Sequence, residues 1–436
     1  MFSKILIANR GEIAVRVINE CKRLGIKTVA ICSDIDRNAL HMQIADEGYC
    51  IGAAHAKESY LNIEAIINAA IITKSEAIHP GYGFLSENPG FAKACEQNGI
   101  TFIGPSSDAI RQLGEKVAAK KVAVSQNIPV LEGMIVSNIE DALLQANEMG
   151  YPVMLKIGDG GGGAGMKVLF SDSELKNTFG MLQTSENEAL IVERYVTMAR
   201  HIEIQIIGDK HGNILPLGNR ECSIQLNNKK VVEECPANNL SEETLNNLYS
   251  ASLKLAKTVN YVGAGTVEFL VDEFENYYFL EMNARIQVEH GITEMITGLN
   301  LVQWQIKIAA GEKIPFTQDY IRFSGHALEC RINALSCGRI GNWYFDVNEA
   351  RFDHSLAKGI TVPPHYDSLL GKLISYGQTR IETINKMRGY LDELQIVGVE
   401  TNIDLHKNIL NSNSFLSGKY FTNSLYKEGL FKGDEK

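Results

Sequence analysis

An apolar run at residues 5–8 is followed by a turn, Asn9-Arg10-Gly11, and then by apolar residues at helical spacing: Ile13, Val17, Cys21 and Leu24. Gly25 stands where a helix ends in a left-handed residue, and residues 27–32 are apolar again. Strand, helix and strand in that order predict a parallel βαβ start, because parallel neighbours need a crossover between them. The first turn holds a single glycine, so the G-x-G-x-x-G dinucleotide fingerprint is absent, and Asn9-Arg10-Gly11 reads as a structural turn as readily as a functional one. Residues 79–88, HPGYGFLSEN, form a turn-rich segment closing another strand. Loops at that end of parallel strands commonly face a ligand crevice.

Further along, the period changes. Residues 104–130 read as a helical connection, and a smaller unit follows with strand-like runs at 154–157, 166–170 and 189–193. From about 200 the apolar residues alternate: 201–207, 214–217, 264–271 and 277–283. A period of two predicts an antiparallel sheet, so the fold class is α/β at the start and α+β beyond it. The tail from about 380 alternates helical and loop signals, and no repeat or long linker separates the parts, so they are expected to pack as one body.

A length of 436 residues suggests roughly three domain-sized units. The formal charge of −10, without a basic tract, argues against nucleic acid or an anionic membrane as partner. Any phosphate must therefore be held by a local site. Charged residues come too early for a secretory leader, and the longest apolar stretch, 65–73, contains Asn68 and is far short of a membrane span. The eight cysteines are scattered without a C-x-x-C pair, which predicts reduced, buried thiols and a cytosolic protein.

Three constellations carry chemistry. The first is Lys156-Ile-Gly-Asp-Gly-Gly161-Gly162-Gly163-Ala164-Gly165-Met166, with six glycines in the eight residues 158–165. So many glycines cost backbone entropy that a hairpin has no structural need of; they let backbone N–H groups approach a polyanion and let the loop open and close. No Gly-Lys-Ser/Thr follows, so it is not a Walker loop. A flexible surface hairpin is the other reading, and Lys156 with Lys116 upstream tilts the balance towards phosphate.

The second is a hairpin around residues 273–276. If it is symmetric about that turn, Glu268 falls opposite Glu281 on one face, with Asn283 two residues along. Two carboxylates so placed repel unless one is protonated or a cation lies between them. Three hard oxygen ligands suit Mg²⁺ with a nucleotide, against the plainer reading of a solvated acidic face. The third, Arg285, Gln287 and Glu289, alternates directly after that strand. A cation, an amide and a carboxylate projecting to one side suit an oxyanion and a base, a surface ion pair being the alternative.

These residues resemble biotin carboxylase, the ATP-grasp component of biotin-dependent carboxylases such as acetyl-CoA carboxylase. The likeness runs through 4–13, 79–88, 114–116, the glycine loop, 200–205, 222–225, 230–234, 263–270, 279–290, 293–295, 325–334 and 362–368. It implies an N-terminal parallel domain over 1–113, a linker and ATP-grasp lid over 114–196, an ATP-grasp core over 197–325 and a C-terminal domain over 326–436. It implies that Lys116, Lys156 and Gly161, Gly162 and Gly163 hold ATP phosphates. Glu193 and Val196 would lie at the adenine hinge, Leu270 beneath the base, and His201 and Gln225 would frame the nucleotide. Glu268, Glu281 and Asn283 would carry Mg²⁺ or Mn²⁺. Lys230, Arg285, Gln287 and Val288 would cradle bicarbonate, Glu289 would be the general base, and Arg331 would stabilise the enolate-like form of biotin.

No Met-Lys-Met biotinylation site and no second large domain are present, so the biotin carboxyl carrier protein and the carboxyltransferase are expected on separate chains; the family is dimeric. The chain departs from the family at Ala164 (usually Arg), Leu226-Asn227-Asn228 (commonly Arg-Arg-His), Ala284 (Thr) and Gly291 (Pro), and 333–361 is shortened and rewritten. These changes thin the positive charge near phosphate and biotin. Two other readings follow: an ATP-grasp ligase for a different carboxylate, and a nucleotide-binding relative that has lost catalysis.

Overall fold

The computed structural model describes residues 1–114, 116–157, 166–182 and 190–430, with the side chains of 116 and 117 also left aside. The N-terminal unit is a five-stranded sheet in the order Glu47–Gly52, Lys27–Ser33, Lys4–Ile7, Ala77–His79, Thr101–Phe102, parallel throughout. The helix Gly11–Arg23 buries Ile13, Ala14, Val17, Ile18 and Cys21 against it, and Gly25, at φ +71°, ends the helix where L-residues are disfavoured. The helices Ile63–Thr73 and Pro89–Gln97 start at Asn62 and Asn88, whose side chains accept from the N–H groups of Ala65 and Phe91.

The smaller unit is an antiparallel sheet in the order Gly133–Val136, Leu190–Arg194, Val153–Ile157, Met166–Leu169. Helices Ile139–Met149 and Asp172–Leu182 close its core, which is built from Val136, Ala142, Val153, Leu155, Phe179 and Val192 among others.

The remainder is organised on one eight-stranded antiparallel sheet: Tyr277–Asn283, Gly263–Val271, Arg200–Gly208, Ile214–Leu226, Lys229–Cys235, His326–Asn333, Leu369–Gly377, Arg351–His354. It is continuous across residue 325, because Glu233 and Glu234 on one side pair with Glu329 and Leu328 on the other. The strand expected at 214–217 runs to Leu226, thirteen residues in all. Its second half alternates Glu221, Ser223 and Gln225, a polar face that an apolar pattern does not register. All eight cysteines are free of disulfides; six are buried as expected, whereas Cys50 and Cys337 are exposed. No helix among the described residues is long and apolar enough to cross a membrane.

Candidate active site

The hairpin places Glu268 directly opposite Glu281, but not by simple reflection about its turn. From Val271↔Tyr277 to Phe269↔Phe279 the partners keep one register; a bulge at Leu280 then shifts it so that Glu268 meets Glu281. On its other side Glu268 pairs with Glu203, and Glu203 with Arg220. Four neighbouring strands therefore carry Glu281, Glu268, Glu203 and Arg220 in one row, with Cβ atoms about 5 Å apart across each pair.

Such a row holds together only through cations. Lys230 Nζ donates to Glu203 Oε2 at 2.5 Å, Glu268 Oε1 at 2.9 Å and Glu289 Oε1 at 2.7 Å. Arg220, fully buried, donates to Glu203, to Gln205 Oε1 at 2.7 Å and to Thr293 Oγ1 at 2.8 Å. Gln225 Nε2 donates to His201 Nδ1 at 2.8 Å, which leaves His201 Nε2 to donate to Glu268 Oε2 at 2.8 Å. Burial alone would raise the Glu268 carboxyl, but Lys230 and His201 outweigh it and hold it well below the usual carboxylate range.

Asn283 extends the row, with its amide turned the other way from the expected oxygen ligand. Its Nδ2 faces Glu268 Oε1 at 3.0 Å and Glu281 Oε1 at 3.4 Å, while its Oδ1 accepts from Arg285 Nη2 at 2.8 Å. With two carboxylates opposed, a donor faces them. The expectation that Arg285, Gln287 and Glu289 project to one side of a continuing strand is corrected. The strand ends at Asn283, and Glu289 is the N-cap of the helix His290–Thr297. Arg285 Nη1 still meets Gln287 Oε1 at 3.0 Å, and Gln287 Nε2 meets Glu268 Oε1 at 2.7 Å. Glu289 instead lies fully buried, held by Lys230 and by Arg331 Nη2 at 3.0 Å from Oε2.

A cleft of about 1510 Å³ opens over this row, between the three units. Lys156, Glu193, Val196, His201, Gln225, Lys230, Glu268, Leu270, Glu281, Asn283, Arg285, Gln287, Val288 and Arg331 all line it. Lys156 Nζ is paired with Glu193 Oε2 at 2.6 Å, and Lys120 with the same carboxylate. Gly161, Gly162, Gly163 and Ala164 lie outside the described residues, as does the Lys116 side chain; Lys116 begins the helix Lys116–Ser125, of which Lys120 lines the cleft. The substituted Asn227-Asn228 forms a two-residue turn, φ +50° and +59°, joining strands at Leu226↔Lys229. Asn tolerates that left-handed pair better than most residues. Tyr426 Oη anchors it, accepting from Asn227 N at 2.8 Å and donating to Asn227 Oδ1 at 2.7 Å.

Sequence reasoning missed Glu203, Arg220, Glu233 and Glu87, the last of which accepts from Arg285 Nε at 2.7 Å. A signal was present: His201, Glu203 and Gln205 alternate with isoleucines, which puts three polar side chains on one face of a buried strand.

A small antiparallel lid, set across a cleft from a sheet bearing a row of carboxylates and cations, defines an ATP-grasp ligase. Family models agree: residues 1–110 match the biotin carboxylase N-terminal domain, 115–317 the carbamoyl-phosphate synthase L chain ATP-binding domain, and 329–427 the biotin carboxylase C-terminal domain. The chain is 44% identical to biotin carboxylase 1 of Bacillus subtilis, covering 98% of each. Among solved structures, the biotin carboxylase domain dimer of Hydrogenobacter thermophilus 2-oxoglutarate carboxylase, in complex with MgADP, ADP and bicarbonate, superposes with a TM-score of 0.94 at 43% identity over the whole of both chains. The biotin carboxylase–beta-gamma-ATP complex from Campylobacter jejuni gives 0.94 at 40% identity, covering 98% of this chain and 99% of that one. The chain belongs to the biotin carboxylase family.

Proposed function

We propose that the chain carboxylates biotin with bicarbonate at the expense of ATP, through carboxyphosphate, as the first half-reaction of an acetyl-CoA carboxylase or related acyl-CoA carboxylase. The observation that carries this is the convergence of Lys230, Glu289 and Arg331 beside the carboxylate row, in a cleft that also reaches the glycine-bearing lid.

Each group has a task set by its surroundings. Lys156 and Lys116 bind nucleotide phosphate, and Val196 and Leu270 enclose the base. Arg285, oriented by Glu87 and Asn283, and Lys230 bind bicarbonate, with Gln287 and Val288 shaping the pocket. Bicarbonate is a weak nucleophile; positioned beside the γ-phosphoryl group, its oxygen attacks the γ-phosphorus as ADP leaves, and the carboxyphosphate formed splits into CO₂ and phosphate inside the closed site. Glu289 takes the ureido N–H proton of biotin, and the freed nitrogen attacks the CO₂ carbon to form carboxybiotin. Burial would raise the Glu289 carboxyl, but Lys230, Arg331 and Arg220 outweigh that and hold it well below the usual range, so it is ionised. When substrates engage Lys230 and Arg331, those contacts weaken and its basicity rises where a base is needed. Arg331 faces the oxygen that gains charge as the ureido N–H of biotin is deprotonated.

The opposed Glu268 and Glu281 fit a hard divalent ion, since their mutual repulsion is relieved by positive charge between them, and Asn283 would join them once its amide turned to present Oδ1. Mg²⁺ or Mn²⁺ there would neutralise charge on the nucleotide phosphates. In this reading the carrier protein bearing biotin and the carboxyltransferase are separate chains, the carboxylase is a homodimer, and the protein works in the cytoplasm.

ADP release, measured with Mg²⁺ and with or without bicarbonate and free biotin, tests the reading. Dependence on both supports it. Turnover with an added amine but no bicarbonate selects a different ATP-grasp ligase, and nucleotide binding without turnover selects a relative that has lost catalysis.

A further inference from the structure

Arg331 is held from two sides. Its Nε donates to Glu233 Oε1 at 2.5 Å and its Nη2 to Glu289 Oε2 at 3.0 Å; Nη1 makes no hydrogen bond among the described residues, and the side chain lines the cleft. Glu233 stands directly opposite Glu329 on the adjacent strand, and both are 0% exposed. Of their four oxygens only Glu233 Oε1 meets a donor; Glu233 Oε2 and both oxygens of Glu329 meet none.

Two carboxylates carried on Cβ atoms about 5 Å apart in a dry interior do not both ionise without a counterion each. Arg331 serves Glu233. Among the described residues the further cation near Glu329 is Lys372, which is engaged elsewhere, with Nζ donating to the Val288 carbonyl at 2.6 Å and lying 3.4 Å from Glu12 and 3.9 Å from Asp353. The other titratable groups facing the pair donate no hydrogen bond to its unpartnered oxygens, and the nearby Glu289 carboxylate adds to its negative charge. Lys230 is saturated by Glu203, Glu268 and Glu289, the Tyr82 hydroxyl donates to Glu12, and the Cys222 thiol is driven far up by burial. One proton answers both deficits, since it removes a charge and supplies a donor between the two carboxyls.

We propose that Glu233 is a positioning residue for Arg331, and that Glu233 and Glu329 share one proton, so that the pair keeps a single negative charge directed at the guanidinium. Burial raises both carboxyls, Glu233 to about 7 and Glu329 well above the usual range, in agreement with the geometry. The charge held on Nε keeps Arg331 to its single Nη2 contact with Glu289, so that Nη1 is not drawn onto the same carboxylate and away from the cleft. What Arg331 is positioned for rests on the biotin-carboxylating reading; the shared proton does not.

Two measurements on the full chain test this. In kinetics, Glu233→Gln lowers biotin-dependent kcat/KM by roughly tenfold or more with the KM for ATP nearly unchanged, and Glu329→Gln, isosteric with a neutral carboxyl, stays within about threefold of wild type. An unaffected Glu233→Gln, or a Glu329→Gln as damaged as Glu233→Gln, overturns the proposal. In infrared spectra at neutral pH, wild type minus Glu329→Gln shows the C=O stretch of a neutral carboxyl that shifts in D₂O; loss of ionised-carboxylate bands alone overturns the shared proton. Should Glu329→Gln not fold, wild type minus Glu233→Gln decides. Loss of an ionised carboxylate with the neutral band intact supports the pair, and loss of the neutral band overturns it. A wild-type chain that never carboxylates biotin sinks the functional reading, and the infrared arm still decides the pair.

Discussion

As the proposed base, Glu289 must be ionised, yet it has no exposed surface. Lys230 and Arg331 reconcile the two, and the same contacts make the carboxylate a poor base until substrates compete for them. Glu289→Gln is expected to lower biotin-dependent kcat by on the order of a hundredfold or more while ATP affinity changes little. Equal loss of both, measured by steady-state kinetics and nucleotide titration, would assign Glu289 a structural role. Glu281→Gln removes one of two opposed carboxylates and is expected to raise the Mg²⁺ concentration for half-maximal turnover by roughly tenfold or more. An unchanged Mg²⁺ dependence would place the ion elsewhere.

At the scale of elements, the hairpin Gly263–Val271 and Tyr277–Asn283 does two jobs. One face carries the acidic row; the other buries Phe269 and Phe279, whose rings meet edge to face at 6.3 Å. The bulge at Leu280 couples the jobs, because a slip of one residue would exchange the two faces. Phe279→Ala leaves a cavity beneath the carboxylates and is expected to cost about 3–5 kcal/mol in urea unfolding. A loss below about 1 kcal/mol would mean that the site does not rest on this aromatic pair.

Across the whole molecule, several histidines are buried neutral. Burial depresses His406 to about 4, and its Nε2 donates to the Arg331 carbonyl at 2.8 Å. Because the folded value lies below the unfolded one near 6.5, the unfolded chain binds more protons between them. The contribution is therefore fully present above about 6.5 and is lost as pH falls towards 4, on the order of 3 kcal/mol over the full shift. The Glu233–Glu329 proton acts in the opposite sense, so the effect is read by difference. His406→Gln is expected to make the decline of Tm between neutral pH and pH ~5 shallower than in wild type. Parallel Tm profiles would show that His406 titrates normally.

The parallel start and the antiparallel remainder were legible in the chain, because apolar period and turn chemistry act over a few residues and survive in any window of it, whereas the Glu268–Glu281 pairing was legible only in part. The pairing was reached by assuming a symmetric turn, whereas the register depends on a bulge that no local pattern announces. Tertiary structure alone decided the rest. Glu203, Arg220, Glu233 and Glu329 come from four different strands, and a buried charge is intelligible only once its counterion, or the lack of one, is in place. The burial of Glu289 and the turned amide of Asn283 belong to the same class, since both depend on which charges neighbouring strands bring within hydrogen-bonding distance.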